Sequence, residues 1–198
     1  MIIHSILRIL AVLVLCAGPA LAQADDKTER LGVPGPISFE GQGYALAWTS
    51  HPSADYFKQE YLPAGQTPES YTHMFIIEAL TSGVTPKDAA GSQIATLDKR
   101  KATDPLVFYD AIVNEASGDV ILDFLVSGTT KDGKLIVEWN GYRYAPYKGP
   151  KPGIVLYGIS RRAYGDDAKA FVTALKDWRT KTVNELASFT APAVTPQP

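Results

Sequence analysis

The sequence is poor in the groups that most often carry out chemistry. It holds one cysteine, Cys16, and three histidines. Cys16 lies in an apolar stretch that is expected to be removed, so the exported chain would have no disulfide, thiol nucleophile or thiolate metal site. The residue before it is Leu15, where a lipidation signal wants a small side chain. Of the other histidines, His51 sits in a loop and His73 in an apolar run, and neither belongs to an H-E-x-x-H or similar set. A catalytic or metal role is expected of neither. Excess charge of one sign is also missing. The balance of 19 Lys+Arg against 21 Asp+Glu gives a net −2, with no basic footprint for nucleic acid. Nucleotide-binding glycine loops are absent, and Gly158-Ile159-Ser160-Arg161-Arg162 lacks the second glycine of a nucleophile elbow. No cofactor is called for.

What is present begins with an address. Arg8 precedes an apolar run, Ile9–Ala17, then Gly18-Pro19 and the small residues of Ala20-Leu21-Ala22. A basic start, short apolar core and A-x-A site form a signal peptide, so cleavage is expected after Ala22. The run is too short for a spanning helix, which needs about 20 apolar residues. No later stretch qualifies. The expected location is periplasmic or extracellular.

Residues 23–35 read as a polar leader, 36–189 as one domain, and the Pro-rich 190–198 as a disordered tail. Alternating or doubly apolar runs predict strands over 43–49, 57–62, 71–80, 106–114, 119–126, 135–145 and 154–162. The 71–80 run is apolar on both faces and should be central. Around Asn140-Gly141 the 135–145 run is one strand or a hairpin. The aromatic rhythm of Val137, Trp139, Tyr142 and Tyr144 favours one strand bulged at Gly141. A helix starts at Thr85-Pro86 with Asp88 in its first turn and ends at Lys99-Arg100-Lys101. A second, from 167 to 188, has Asp166 as its cap and a stripe of Phe171, Leu175, Trp178, Thr182 and Leu186. The fold class is α+β: about seven mostly antiparallel strands in the order βββ-α-ββββ-α, with two packed helices.

This element order resembles the PsbP/LpqN-like group of small α/β/α sandwiches over residues 36–189. So do Pro68-Glu69-Ser70-Tyr71-Thr72 entering a strand and Arg161-Arg162-Ala163-Tyr164-Gly165-Asp166 entering a long helix. The resemblance implies an accessory, assembly or ligand-binding role. A fold-level likeness does not by itself assign function.

Two features could bind. Charged residues interrupt apolar strands at Asp110, Asp123, Glu138, Arg143, Arg161 and Arg162, and Glu138 is expected to pair with Arg161 or Arg143 across the sheet. Aromatics crowd at Trp139, Tyr142, Tyr144 and Tyr147. The candidate binding residues are therefore Glu138, Trp139, Tyr142, Arg143, Tyr144, Tyr147 and Arg161. The leading expectation is a non-catalytic binding or accessory protein for a small ligand or an envelope protein. One alternative is an envelope hydrolase acting on a peptide or glycan, which needs Asp110 and Asp123 to converge in a cleft. Another is a structural partner that docks by an edge strand or by the tail.

Overall fold

The computed structural model describes residues 26–197. The expected signal peptide, residues 1–22, lies outside that range, as does the chain's cysteine. The described chain forms one antiparallel sheet in the order β1-β2-β3-β4-β8-β7-β6-β5. The strands are β1 (Ile37–Phe39), β2 (Gln42–Ser53), β3 (Tyr56–Leu62), β4 (His73–Leu80), β5 (Phe108–Val113), β6 (Val120–Thr129), β7 (Leu135–Pro146) and β8 (Ile154–Tyr164). The helices are α1 (Pro86–Arg100) between β4 and β5, and α2 (Asp167–Ser188) after β8. Among the described residues no helix is long and apolar enough to cross a membrane.

The sheet has eight strands, not about seven, and the element order gains a strand before the first helix. The additional strand, β1, joins β2 through Glu40-Gly41 with φ of 49° and 77°. Two positive φ values in a two-residue loop match the twist of a hairpin. Glutamate seldom occupies that position, so the turn carries no ordinary sequence signal. Its backbone is held from outside: Glu40 pairs with Arg161 and accepts from Thr182 Oγ1 at 2.9 Å.

Each face of the sheet carries its own core. On one, α2 packs over Ile121, Leu125, Val137, Trp139 and Ile159 of β6 to β8, and Phe75 and Ile77 of β4 join the same core. On the other, α1 packs on Val120, Leu122, Phe124, Val126 and Tyr144, beside Met74 and Ile76. Central β4 thus sends Phe75 and Ile77 one way and Met74 and Ile76 the other, as its doubly apolar run requires. Complete burial of such side chains contributes roughly 1.5–3 kcal/mol each.

β7 is a single strand without a bulge. It runs in unbroken register along β6 and β8, with Gly141 opposite Asp123 and Ile159. The aromatics therefore change face at this point. Val137 and Trp139 join the α2 core, and Tyr142 and Tyr144 the α1 side. Gly141 is needed for space: a Cβ there would stand 2.8 Å from Trp139 Cη2.

Helix α1 begins with a reciprocal capping box between Thr85 and Asp88. Asp166 precedes α2 but makes no side-chain cap hydrogen bond. The segment 190–197, expected to be disordered, is docked instead. Ala191 and Val194 pack on the α2-side core. Pro192 O accepts from Tyr157 Oη at 2.8 Å, and the Thr195 and Gln197 amides each donate at 2.7 Å to Leu31 O and Arg30 O. Leu31 and Val33 of the leader are themselves core residues.

Candidate functional site

The most polar part of the interior lies on the α1 side of β3, β4, β8 and β7. Helix α1 packs mainly over β6 and β7, and on the floor of β3, β4 and β8 long polar side chains lie among the apolar Leu62, Met74, Ile76 and Leu156. Alternation on β3 sends Lys58 and Glu60 to this face. A register slip in β2 between Leu46 and Trp48 brings Trp48 opposite Glu60. Lys58 Nζ lies 2.8 Å from Glu60, 3.8 Å from Glu78 and 5.9 Å from the Trp48 ring centroid. Tyr56 Oη donates to Glu78 at 2.9 Å. Further along the same face, Glu138 accepts from Arg162 Nε at 2.6 Å, Tyr71 Oη at 2.9 Å and Asn140 Nδ2 at 3.1 Å. Ser160 donates to Asn140. The Tyr142 ring lies over Gly158, where a Cβ would stand 3.0 Å from it. Lys58, Glu60, Glu138 and Arg162 are buried, while Trp48, Tyr56, Glu78, Tyr142 and Tyr164 are only partly covered and form the solvent side of the seam.

Electrostatics fix the protonation of this seam. Burial pushes the hydroxyls of Tyr71 and Tyr142 well above the ordinary phenol range, reinforced by Glu138. Burial also raises Tyr56, and Glu78 adds to it. All three stay neutral donors. Burial opposes the charge on Lys58, but Glu60 and Glu78 outweigh it and hold the ammonium protonated. Burial raises Glu78 more than Lys58 and Tyr56 lower it. Three carboxylates thus meet two cations, and Glu78, the most exposed of the three, is the one with the poorest ionic partner.

The residues expected to bind divide between the two faces. Glu138, Tyr142 and Tyr144 are on the α1 side; Trp139, Arg143, Tyr147 and Arg161 are on the α2 side or pack against its core. Glu138 pairs with Arg162, its cross-strand partner, and not with Arg161 or Arg143. The expectation failed by one residue, which on a strand is a change of face. Arg161 pairs with Glu40 and stacks on Trp178 at 4.4 Å, and Arg143 meets Asp119 at 2.7 Å. Trp139 is fully buried, edge-on to Trp178, with its indole N–H on Asp123 at 3.1 Å. Tyr144 is also a core residue.

Asp110 and Asp123 do converge, as cross-strand partners on the α2 side. Arg179 bridges them, donating to Asp123 at 2.5 and 2.8 Å and to Asp110 at 3.3 Å. A guanidinium between the two carboxylates occupies the place a substrate bond would need. Ser160 has Asn140 and Tyr142 as neighbours. His73 faces the other side of the sheet, so among the described residues no imidazole stands ready to activate it. Burial, then Arg161, lowers the His73 pKa. His51 stacks on Phe57 at 4.0 Å. The residues that sequence reasoning missed are Tyr56, Lys58, Glu60, Tyr71, Glu78 and Arg179. The alternation of Lys58 and Glu60 in one strand was the available signal, since it places both charges on one face.

A protein-family model matches residues 31–191. Its limits run from Leu31 in the core to Ala191 packed against it. Comparison with curated proteins and with solved structures finds no match for the chain.

Proposed function

We propose that this chain, which belongs to the family whose model spans residues 31–191, is an exported, non-catalytic binding or accessory protein that takes a polar ligand on the α1-side seam. One observation carries the reading: charged and tyrosine side chains of β3, β4, β7 and β8 run among the apolar residues of this face, flanking the helix, and three of them, Tyr56, Glu78 and Tyr142, are only partly covered. A seam serving stability alone could be apolar at lower cost, because buried ion pairs are often no better than well-packed hydrophobic replacements. Neutral tyrosine donors beside a weakly paired carboxylate suit a ligand rich in hydroxyl or amino groups, such as a glycan or a peptide. The signal-peptide pattern supports export, and the layout resemblance to PsbP/LpqN-like proteins points to the same accessory class. Arg179, bonded to both Asp110 and Asp123, favours this reading over the hydrolase alternative.

The test is expression of the full chain, N-terminal sequencing of the exported product, and a thermal-shift screen of that product against sugars, peptidoglycan fragments, peptides, small anions and metals. A mature terminus at Gln23 and a concentration-dependent rise in Tm with one class are expected, because a ligand selective for the native state must stabilise it. The rise should vanish in the Tyr56→Phe/Glu78→Gln double variant. A shift that survives there removes the seam as the site, silence across the panel removes the small-ligand reading, and retention of the intact leader in the cytoplasm removes export.

A further inference from the structure

Helix α2 packs mainly over β6 to β8. Toward β3 and β4 the same face is closed by chain without regular structure, the leader at 30–33 and the tail at 190–197. The leader is fixed by contacts of its own. Glu29 accepts from the Leu31, Gly32 and Val33 amides at 2.8, 3.0 and 2.9 Å. Gln59 Oε1 accepts from the Arg30 amide at 2.7 Å, and Tyr61 Oη donates to Val33 O at 2.6 Å. Leu31 is fully buried. These bonds occupy the leader's N–H groups and leave Arg30 O and Leu31 O to the tail.

The tail is held more lightly. Its last firm point is Phe189, whose carbonyl accepts from Arg143 Nη1 at 2.9 Å and whose ring lies 5.4 Å from Phe75 and 5.7 Å from Phe39. Beyond it the tail engages through its backbone. The Thr195 and Gln197 amides donate to Leu31 O and Arg30 O, and Pro192 O accepts from Tyr157 Oη. No residue of 190–197 is buried. A tail that served only to close the core would gain most by burying large side chains; this one buries none.

We propose that this groove is a docking site for a proline-rich segment of another protein, and that residues 190–197 are its resident occupant, released when that segment binds. The occupant shows which chemistry fits. It is a short run of small residues framed by Pro192 and Pro196. Proline-rich segments are extended before they bind and dock in aromatic-lined grooves. Here Tyr157 Oη meets the Pro192 carbonyl, and the Phe189 ring lies 6.3 Å from that of Tyr157. An incoming segment needs only what the tail supplies: two amides two residues apart, which an extended chain presents on one side, and small apolar side chains like Ala191 and Val194. The leader's acceptors are already held in place, so binding orders the segment alone. Release pivots after Phe189, which Arg143 retains. The site lies on the opposite face from the α1-side seam and does not depend on it.

The test uses the full chain and a fluorescent peptide with the sequence of residues 190–197. The Val194→Asp/Thr195→Pro double variant loosens the resident tail and leaves the groove unchanged. Anisotropy should show saturable binding of the peptide to it. The parent should bind at least about tenfold more weakly, because its own tethered tail competes at high effective concentration. Adding Tyr157→Phe to the double variant should weaken binding about fivefold by removing one hydrogen bond. A peptide with alanine at both proline positions should also lose about fivefold, since it is less extended when free. Circular dichroism checks the fold of each variant. Amide exchange on the parent gives a reading that no variant can spoil. The Thr195 and Gln197 amides should exchange by local opening at least about 100-fold faster than those of β8, and faster again with excess peptide. Protection at Thr195 equal to that in β8 would make the tail a permanent part of the core and overturn the proposal. So would a folded double variant that ignores the peptide, equal binding by parent and variant, or equal binding of the alanine peptide.

Discussion

Glu78 shows how one buried carboxylate can be both a weakness and an opportunity. Its folded pKa lies above the ordinary value because burial outweighs the help from Lys58 and Tyr56. An acid with a raised folded pKa contributes most below its unfolded pKa, about 4.3 for glutamate, and loses that contribution as pH rises through the folded value. Glu78→Gln should therefore be more stable than the parent at neutral pH, with the difference closing below about pH 4. Urea midpoints at the two pH values check this, and a variant less stable at neutral pH would show that Lys58 depends on Glu78 more than the desolvation argument allows. Glu138 is the contrasting case: Arg162, Tyr71 and Asn140 occupy its oxygens. The two residues share a face and differ in how completely they are satisfied, which is why the proposed site puts Glu78 at the ligand and Glu138 in its support.

At the scale of elements, β7 shows what periodicity can and cannot reveal. Its extent from Leu135 to Pro146 was legible, because apolar and aromatic residues recur along all of it. The face of each residue past Gly141 was not, because alternation in a strand apolar on both sides contains no marker of inside and outside. Two helices and seven of the strands were readable from caps, stripes and runs. β1 was not, being three residues long and turned by a glutamate at φ 49°. The seam was readable only in fragments, since Lys58, Glu78, Glu138 and Arg162 lie on four strands whose neighbours are set by the sheet order. Gly141 makes a sharp prediction. Its missing Cβ leaves room for Trp139, which Trp178 and Asp123 hold in place. Gly141→Ala should cost about 1–3 kcal/mol by overpacking, measured by chemical denaturation. An unchanged midpoint would mean that the indole can slide.

At the scale of the whole molecule, the two ends of the described chain finish the α2-side core together. Residues 190–198 were expected to be disordered because they lack large apolar groups and hold three prolines. Composition gave no sign that the leader would offer them Leu31 O and Arg30 O. Removing 190–198 deletes three hydrogen bonds and the packing of Ala191 and Val194. At about 1 kcal/mol for each bond and a similar sum for the packing, the loss should be at most about 6 kcal/mol, since the freed segment regains conformational entropy. An equilibrium unfolding curve that matches the full chain would show that the docked segment contributes nothing.

The sheet order has a further consequence, in time. β4 is an outer strand until β8 is available to lie beside it, and Leu31 waits for Thr195. The first half of the chain therefore has no completed sheet to rest in while the second half is still being made. Contacts that span most of the sequence form slowly, so the last residues to emerge decide when folding can finish. A chain built in this way stays open until it is whole, the condition in which a polypeptide can still be threaded through a narrow passage.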